Sequence, residues 1–204
     1  MYIPKSFREE DLPTIHDLIE RHNFGIVFST VEDEPFATHL PFMIDRNRGK
    51  YGTLIAHFAR ANPHWKSLDD SKTVLVVFQG AHDYISPAWY ANQVTVPTWN
   101  YAAVHVYGKP RFIHETDELR VMLQHLIDFH DHQWDPAQAE EYIEARLAAI
   151  VGIEIEIERI EGKVKYNQNK SVDDQKSVIN HLDAINTPDA HEMAAVMKRN
   201  LDRD

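Results

Sequence analysis

The chain has 204 residues, 21 Lys and Arg against 32 Asp and Glu, a formal net charge of −11 and no cysteine. That length suits one domain, or one domain with a small appendage, and can bury a proper core. The lack of Cys excludes disulfides, thiolate metal sites and a Cys nucleophile, while the surplus of acid repels a phosphate backbone. No apolar run approaches a membrane span and the first thirty residues carry acids in an amphipathic pattern, so a cytoplasmic protein with neither anchor nor signal peptide is expected.

In chain order, Ser6-Phe7-Arg8-Glu9 reads as a capping box. Leu12, Ile15, Leu18 and Ile19 then repeat at helical spacing to about His22, with Pro13 in the first turn moving the start nearer Asp11. Strands are expected at Phe24 to Thr30, Phe36 to Ile44, Gly52 to Ala59 and Thr73 to Phe78, with a turn at Glu32 to Pro35. Asn62-Pro63 opens a short helix through Leu68, and Trp99 to Ile113 is one bent strand or two short ones. Helices follow at Leu119 to His130 and from Pro136 to Ile150. Ile153 to Glu158 alternates strictly, as a strand with one buried and one acidic face does. Helices at Asp173 to Leu182 and Pro188 to Leu201 close the chain. Short strands joined by turns, with helices inserted late, give a mostly β fold with flanking helices, an antiparallel barrel or curled sheet rather than βαβ repeats.

The stretch Tyr84 to Gly108 holds two of the four Trp and four of the eight Tyr, beside Ser86, Asn92, Thr98, Asn100 and His105. Aromatic walls with a few placed polar groups make a small-molecule pocket; an aromatic core edge with satisfied polar tips is the plainer alternative. His57 to Pro63, a strand end running into a helix start, offers free backbone donors and Arg60 for an anion, or else a solvated turn capped by Asn62. Lys163 to Lys170 places Lys165, Gln168 and Asn169 close together, as a clamp for phosphate or a flavin edge or as a solvated basic loop. It is the densest basic stretch and holds three lysines, so duplex DNA binding by this chain alone is not expected.

His125, His130 and His132 invite a metal reading, but His125 and His130 lie about 140° apart around a helix and no HExxH occurs, so no metal is expected. His105 and His39 read as buried and satisfied rather than reactive. GxSxG, GxxxxGK and GxGxxG are all missing, which argues against a serine hydrolase, a nucleoside triphosphatase and a dinucleotide-binding domain. No residue is assigned a catalytic role.

MYIPKSF at the start, ATHLPF (37–42), HFARANPHW (57–65), VFQGAHDYISPAWY (77–90), VPTWNYAAVHVYG (96–108), IVGIEIEIE (150–158) and Gln168-Asn169 together resemble the PaiB-type family of FMN-binding negative transcriptional regulators, linked to sporulation and protease synthesis. The resemblance runs nearly end to end. The family's Lys-Leu-Ser-Gln-Asn is Lys165-Tyr166-Asn167-Gln168-Asn169 here, and its Ala-His-Ala-Tyr-Ile-Ser is Ala81-His82-Asp83-Tyr84-Ile85-Ser86.

The resemblance implies a flavin-reductase-like split β-barrel, a homodimer, and FMN as cofactor. The expected layout is a split-barrel domain over 1–169, a helical pair inserted at about 115–150, and a helical appendage over 170–204. The expected flavin site is composite. His57, Arg60 and Asn62 lie near the phosphate, Trp89, Trp99 and Asn100 beside the ring, and Ser86, Tyr90, Thr98, Lys165, Gln168 and Asn169 complete the set. Any enzymatic activity would be electron or hydride transfer through the flavin. The alternatives are a haem-binding or haem-degrading split barrel and a cofactor-free regulator acting through a protein partner.

Overall fold

The structure, a computed structural model, describes residues 1–92, 94–131 and 133–202. Its elements are β1 (Arg8–Glu9), α1 (Leu12–Arg21), β2 (Phe24–Val31), β3 (Glu34–Pro41), β4 (Met43–Asp45), β5 (Thr53–Ala59), α2 (His64–Ser67), β6 (Val74–Ile85), β7 (Thr98–Ile113), α3 (Thr116–His130), α4 (Glu140–Leu147), β8 (Ile150–Lys165), α5 (Val172–Ala184) and α6 (Pro188–Leu201). The strands form one eight-stranded sheet in the order β3-β2-β6-β7-β8-β5-β4, with β1 added against β8. The mostly β fold with flanking helices is the one expected.

The chain divides into two compact units. The first comprises Met1–Asp11, Gln79–Val104 and Glu161–Asp204, the second Leu12–Phe78 and His105–Ile160. The sequence sets α5 and α6 apart as an appendage; in the structure they group with 79–104 and the end of β8.

In the first unit, α6 buries Ala190, Met193, Ala194 and Met197 at helical spacing, and α5 buries Val178, Ile179 and Leu182. Their starts are capped by Ser171, whose Oγ accepts from the Asp174 N–H at 3.2 Å, and by Thr187, whose Oγ1 accepts from the Ala190 N–H at 3.3 Å. The capping box read at Ser6 does not form. Lys5–Phe7 make a single 3-10 turn and Arg8–Glu9 pair with Lys163 and Gly162, so the chain is extended where that box would need a helix. Glu9 accepts instead from the Asp11 N–H at 2.8 Å, just before α1.

In the second unit, α1 buries Ile15, His16, Leu18 and Ile19. Glu32 and Asp33, at φ 50° and 65°, both sit in the left-handed region and make the two-residue turn whose twist matches a hairpin. Ile55, Ile113, Leu119, Met122, Leu126 and Leu147 form a core beneath α3 and α4. Gly108 lets the sheet close up here: a Cβ on it would stand 2.2 Å from the Glu156 carbonyl oxygen.

One expectation about β8 needs correcting. Glu156 and Glu158 are exposed as the alternation requires, but Glu154 is buried. Its Oε1 and Oε2 accept from the two terminal nitrogens of Arg48 at 2.7 and 2.8 Å, and Oε2 also accepts from Arg111 Nε and Nη2 at 3.0 and 2.9 Å. A carboxylate can be buried when paired in this way. The two guanidiniums, Arg48 first, hold its pKa below the ordinary carboxylate range against the opposing effect of burial.

Candidate functional site

The residues singled out from sequence fall in both units, and each group is described within its own. In the second unit, His57 sits on β5 opposite Gly152. Its Nδ1 is buried without a hydrogen-bond partner, and burial lowers its pKa. Arg60, just past β5, is largely committed. Nε donates to the Ala148 carbonyl and Nη2 to that of Ile150, both at 2.7 Å, so the guanidinium ties off the end of α4. Asn62 is a cap: its Oδ1 accepts from the His64 N–H at 2.9 Å and its Nδ2 donates to Thr38 Oγ1 at 3.2 Å. The helix it opens, α2, is four residues long. Anion binding at this turn was the expected role, but its best donors are already used by the chain itself.

In the first unit, Ser86 caps the 3-10 turn Pro87–Trp89, its Oγ accepting from the Ala88 N–H at 3.2 Å. Trp89 stacks on His181 with ring centroids 5.5 Å apart and planes 10° from parallel. The buried Tyr90 donates its hydroxyl to Asn167 Oδ1 at 3.3 Å, and burial raises its pKa. Trp99 is 56% exposed and meets Tyr84 edge-on at 6.2 Å, with His82 at 6.4 Å. The strand period of two then turns Asn100 to the opposite face, where it is fully buried with both amide atoms unpartnered. A ring stacked on Trp99 therefore does not reach the Asn100 amide from that side.

Lys165 Nζ donates to Thr98 Oγ1 and to the Trp99 carbonyl. Gln168 shapes the loop, its Oε1 accepting from the Tyr166 N–H at 2.7 Å and its Nε2 donating to the Val164 carbonyl at 2.6 Å. Asn169 is exposed. Asn167 stands where the family pattern has serine and adopts φ 64°, a left-handed conformation that asparagine tolerates better than most residues.

Two members of this cluster were not singled out from the sequence. Lys163, only 6% exposed, donates to the Tyr101 hydroxyl and to the Tyr2 carbonyl at 3.2 Å. Lys170 Nζ lies 5.0 Å above the Tyr90 ring and donates to Thr95 Oγ1 at 3.1 Å. Their place in the basic run was the available signal. Burial, then Lys163 and Lys170, lower the Lys165 pKa. Among the described residues, none of the three lysines is in ion-pair contact with a carboxylate. In a chain of net charge −11, this gathers three lysines beside exposed aromatic rings, with Asp174 near enough to Lys170 for the lysine to lower its pKa. That combination fits an aromatic anion such as a flavin phosphate.

The histidines do not converge in the same way. His125 lies on α3, His130 ends that helix edge-on to Phe129, and His132 lies outside the described residues. A cavity of about 980 Å³ in the second unit is bordered by His125 and by none of the residues expected to bind flavin.

The antiparallel sheet and flanking helices define a split-barrel protein of the flavin-reductase-like class. The solved flavocytochrome Anf3 from Azotobacter vinelandii shares the fold with a TM-score of 0.61, at 15% identity over 80% of this chain and 72% of that one. The FAD and heme binding protein from Mycobacterium smegmatis does so with a TM-score of 0.58, at 16% identity over 83% and 78%. The chain belongs to the PaiB-type family, whose model, described as "Putative FMN-binding domain", matches residues 1–159. The protease synthase and sporulation protein PAI 2 of Bacillus subtilis (strain 168) is 37% identical over 206 residues, 98% of each chain.

Proposed function

We propose that this chain is a PaiB-type negative regulator of transcription that binds FMN in its first unit, with the phosphate against Lys165 and Lys170 and the ring against Trp99 and Tyr84. The carrying observation is that, among the described residues of an acidic chain, none of Lys163, Lys165 and Lys170 is in ion-pair contact with a carboxylate. A flavin phosphate needs fixed positive charge, and the alternative beside Arg60 has most of its donors already spent. The family's description and the name of the B. subtilis relative support the cofactor and the regulatory role. Bound flavin supplies electron or hydride transfer; the chain supplies binding and orientation. Regulation runs through the flavin state or a protein partner rather than through direct DNA contact, in keeping with the net negative charge. The working form is a homodimer in which the exposed apolar side chains of Tyr84, Val94, Val96 and Trp99 are covered.

Titration of the protein with FMN and with riboflavin tests the reading. A charge-assisted hydrogen bond is worth about 1.5–3 kcal/mol, so Lys165→Ala should weaken FMN by about one to two decades and leave riboflavin unchanged. Trp99→Ala should weaken both ligands, since both carry the ring. If Arg60→Ala removes the preference for FMN and Lys165→Ala does not, the phosphate lies beside Arg60. If the wild type binds neither flavin, the cofactor assignment fails.

A further inference from the structure

The cavity in the second unit is lined by β4, the segment after it and α3, and also by Glu154 of β8. Its apolar lining comes from Met43, Ile55, Ile113 and Met122, with Val121 and Phe129 on α3. At about 980 Å³ it is of the size that holds a drug-sized molecule. The charges around it decide which molecule.

Three arginines border the cavity, and each is already engaged. Arg46 donates to Glu20 and Asp17 at 2.6–2.7 Å. Arg48 turns both terminal nitrogens onto Glu154. Arg111 gives Nε and Nη2 to Glu154 and Nη1 to Glu118 at 3.2 Å. No guanidinium fork is left to grip an anion. Two lining carboxylates are in the opposite condition. Among the described residues, the Asp45 carboxylate accepts from the Asn47 N–H at 3.0 Å and that of Asp128 from Gln124 Nε2 at 2.8 Å. Neither is in ion-pair contact with a cation among the described residues, although Asp45 lies near enough to Arg48 to help raise its pKa.

We propose that this cavity binds a small organic cation with an apolar body, of the arylalkylamine type. The body fills the apolar lining and the ammonium sits near the carboxylates of Asp45 and Asp128. The cavity is lined by none of the three lysines and has the wrong sign for a flavin phosphate, so the proposal stands independently of the cofactor assignment.

The test is isothermal titration of the full chain at pH 8 with 4-phenylbutylamine, 4-phenylbutanol and 4-phenylbutyrate, which share a body and differ in charge. The amine should bind saturably at one site, about tenfold tighter than the alcohol, with the carboxylate weakest. Asp128→Asn should weaken the amine several-fold and leave the alcohol unchanged. Val121→Trp, a change at an exposed position, should fill the cavity and abolish binding of all three, with circular dichroism confirming that both variants fold. The proposal is overturned if none of the three binds saturably, if the alcohol or carboxylate matches the amine, or if amine binding survives Val121→Trp.

Discussion

Replacing Glu154 by Gln keeps the shape of the side chain and removes the one charge that two arginines share. Breaking a fully buried ion pair costs about 3–5 kcal/mol, whereas an exposed one contributes under about 1 kcal/mol. Glu154 is only 9% exposed, but the side chains of Arg48 and Arg111 are 47% and 57% exposed, so water screens half of the arrangement. The expected cost is therefore intermediate, about 1.5–3 kcal/mol near neutral pH. The carboxyl is held below its ordinary pKa in the folded chain. Its contribution is therefore present above the unfolded value of about 4.3 and lost as pH falls through the lower folded value. Urea unfolding followed by tryptophan fluorescence, in steps from pH 7.5 to 3.5, measures both effects. Glu154→Gln should be less stable than wild type at pH 7.5, and the gap should narrow below about pH 4.3. Equal stability at pH 7.5, or a gap that stays constant across the acid range, refutes the reasoning.

Gly108→Ala would place a Cβ 2.2 Å from a backbone oxygen and 2.8 Å from Ile155 Cγ2, where the backbone has little room to give. A fall in Tm of about 5–10 °C is expected by calorimetry, and a loss under about 2 °C would mean the strands part easily. Asn100→Leu removes two buried polar atoms that lack partners, so the flavin-free chain should gain about 1–2 kcal/mol in urea unfolding; a loss of stability would show that the amide is satisfied. Light scattering at micromolar concentration should give about twice the 23.7 kDa chain mass, and Val96→Asp should shift it toward one chain; a wild-type mass of one chain refutes the dimer.

The elements that repeat a local pattern were legible before the structure. The apolar spacing from Leu12 marks α1, and Glu32-Asp33 between two β-rich runs marks the hairpin. Partners distant in the chain hid the rest. Nothing in Ile153 to Glu158 says that Arg48 and Arg111 converge on its first glutamate. The sequence around Arg60 likewise does not show that two carbonyls 88 and 90 residues away take its donors. β6 runs seven residues past the expected end at Phe78, where Gln79, Gly80, His82 and Asp83 break the apolar run and conceal the strand. Tyr84, Trp99 and Lys165 stand out in the sequence as residue types, but only the fold brings Lys165 onto the carbonyl of Trp99.

β3 ends the sheet order, so one of its long sides lacks a neighbouring strand in that order. The Phe42 N–H, just past β3, reaches the Asn23 carbonyl at 2.8 Å, which turns the even-numbered amides toward β2 and the odd-numbered ones away. The outward positions are Pro35, Ala37, His39 and Pro41, and the two prolines there carry no N–H. A foreign extended peptide laid along this side would find donors only at its middle and none at either end. The fold thus keeps the strand in place through one side while making the other a poor template for self-association into fibres.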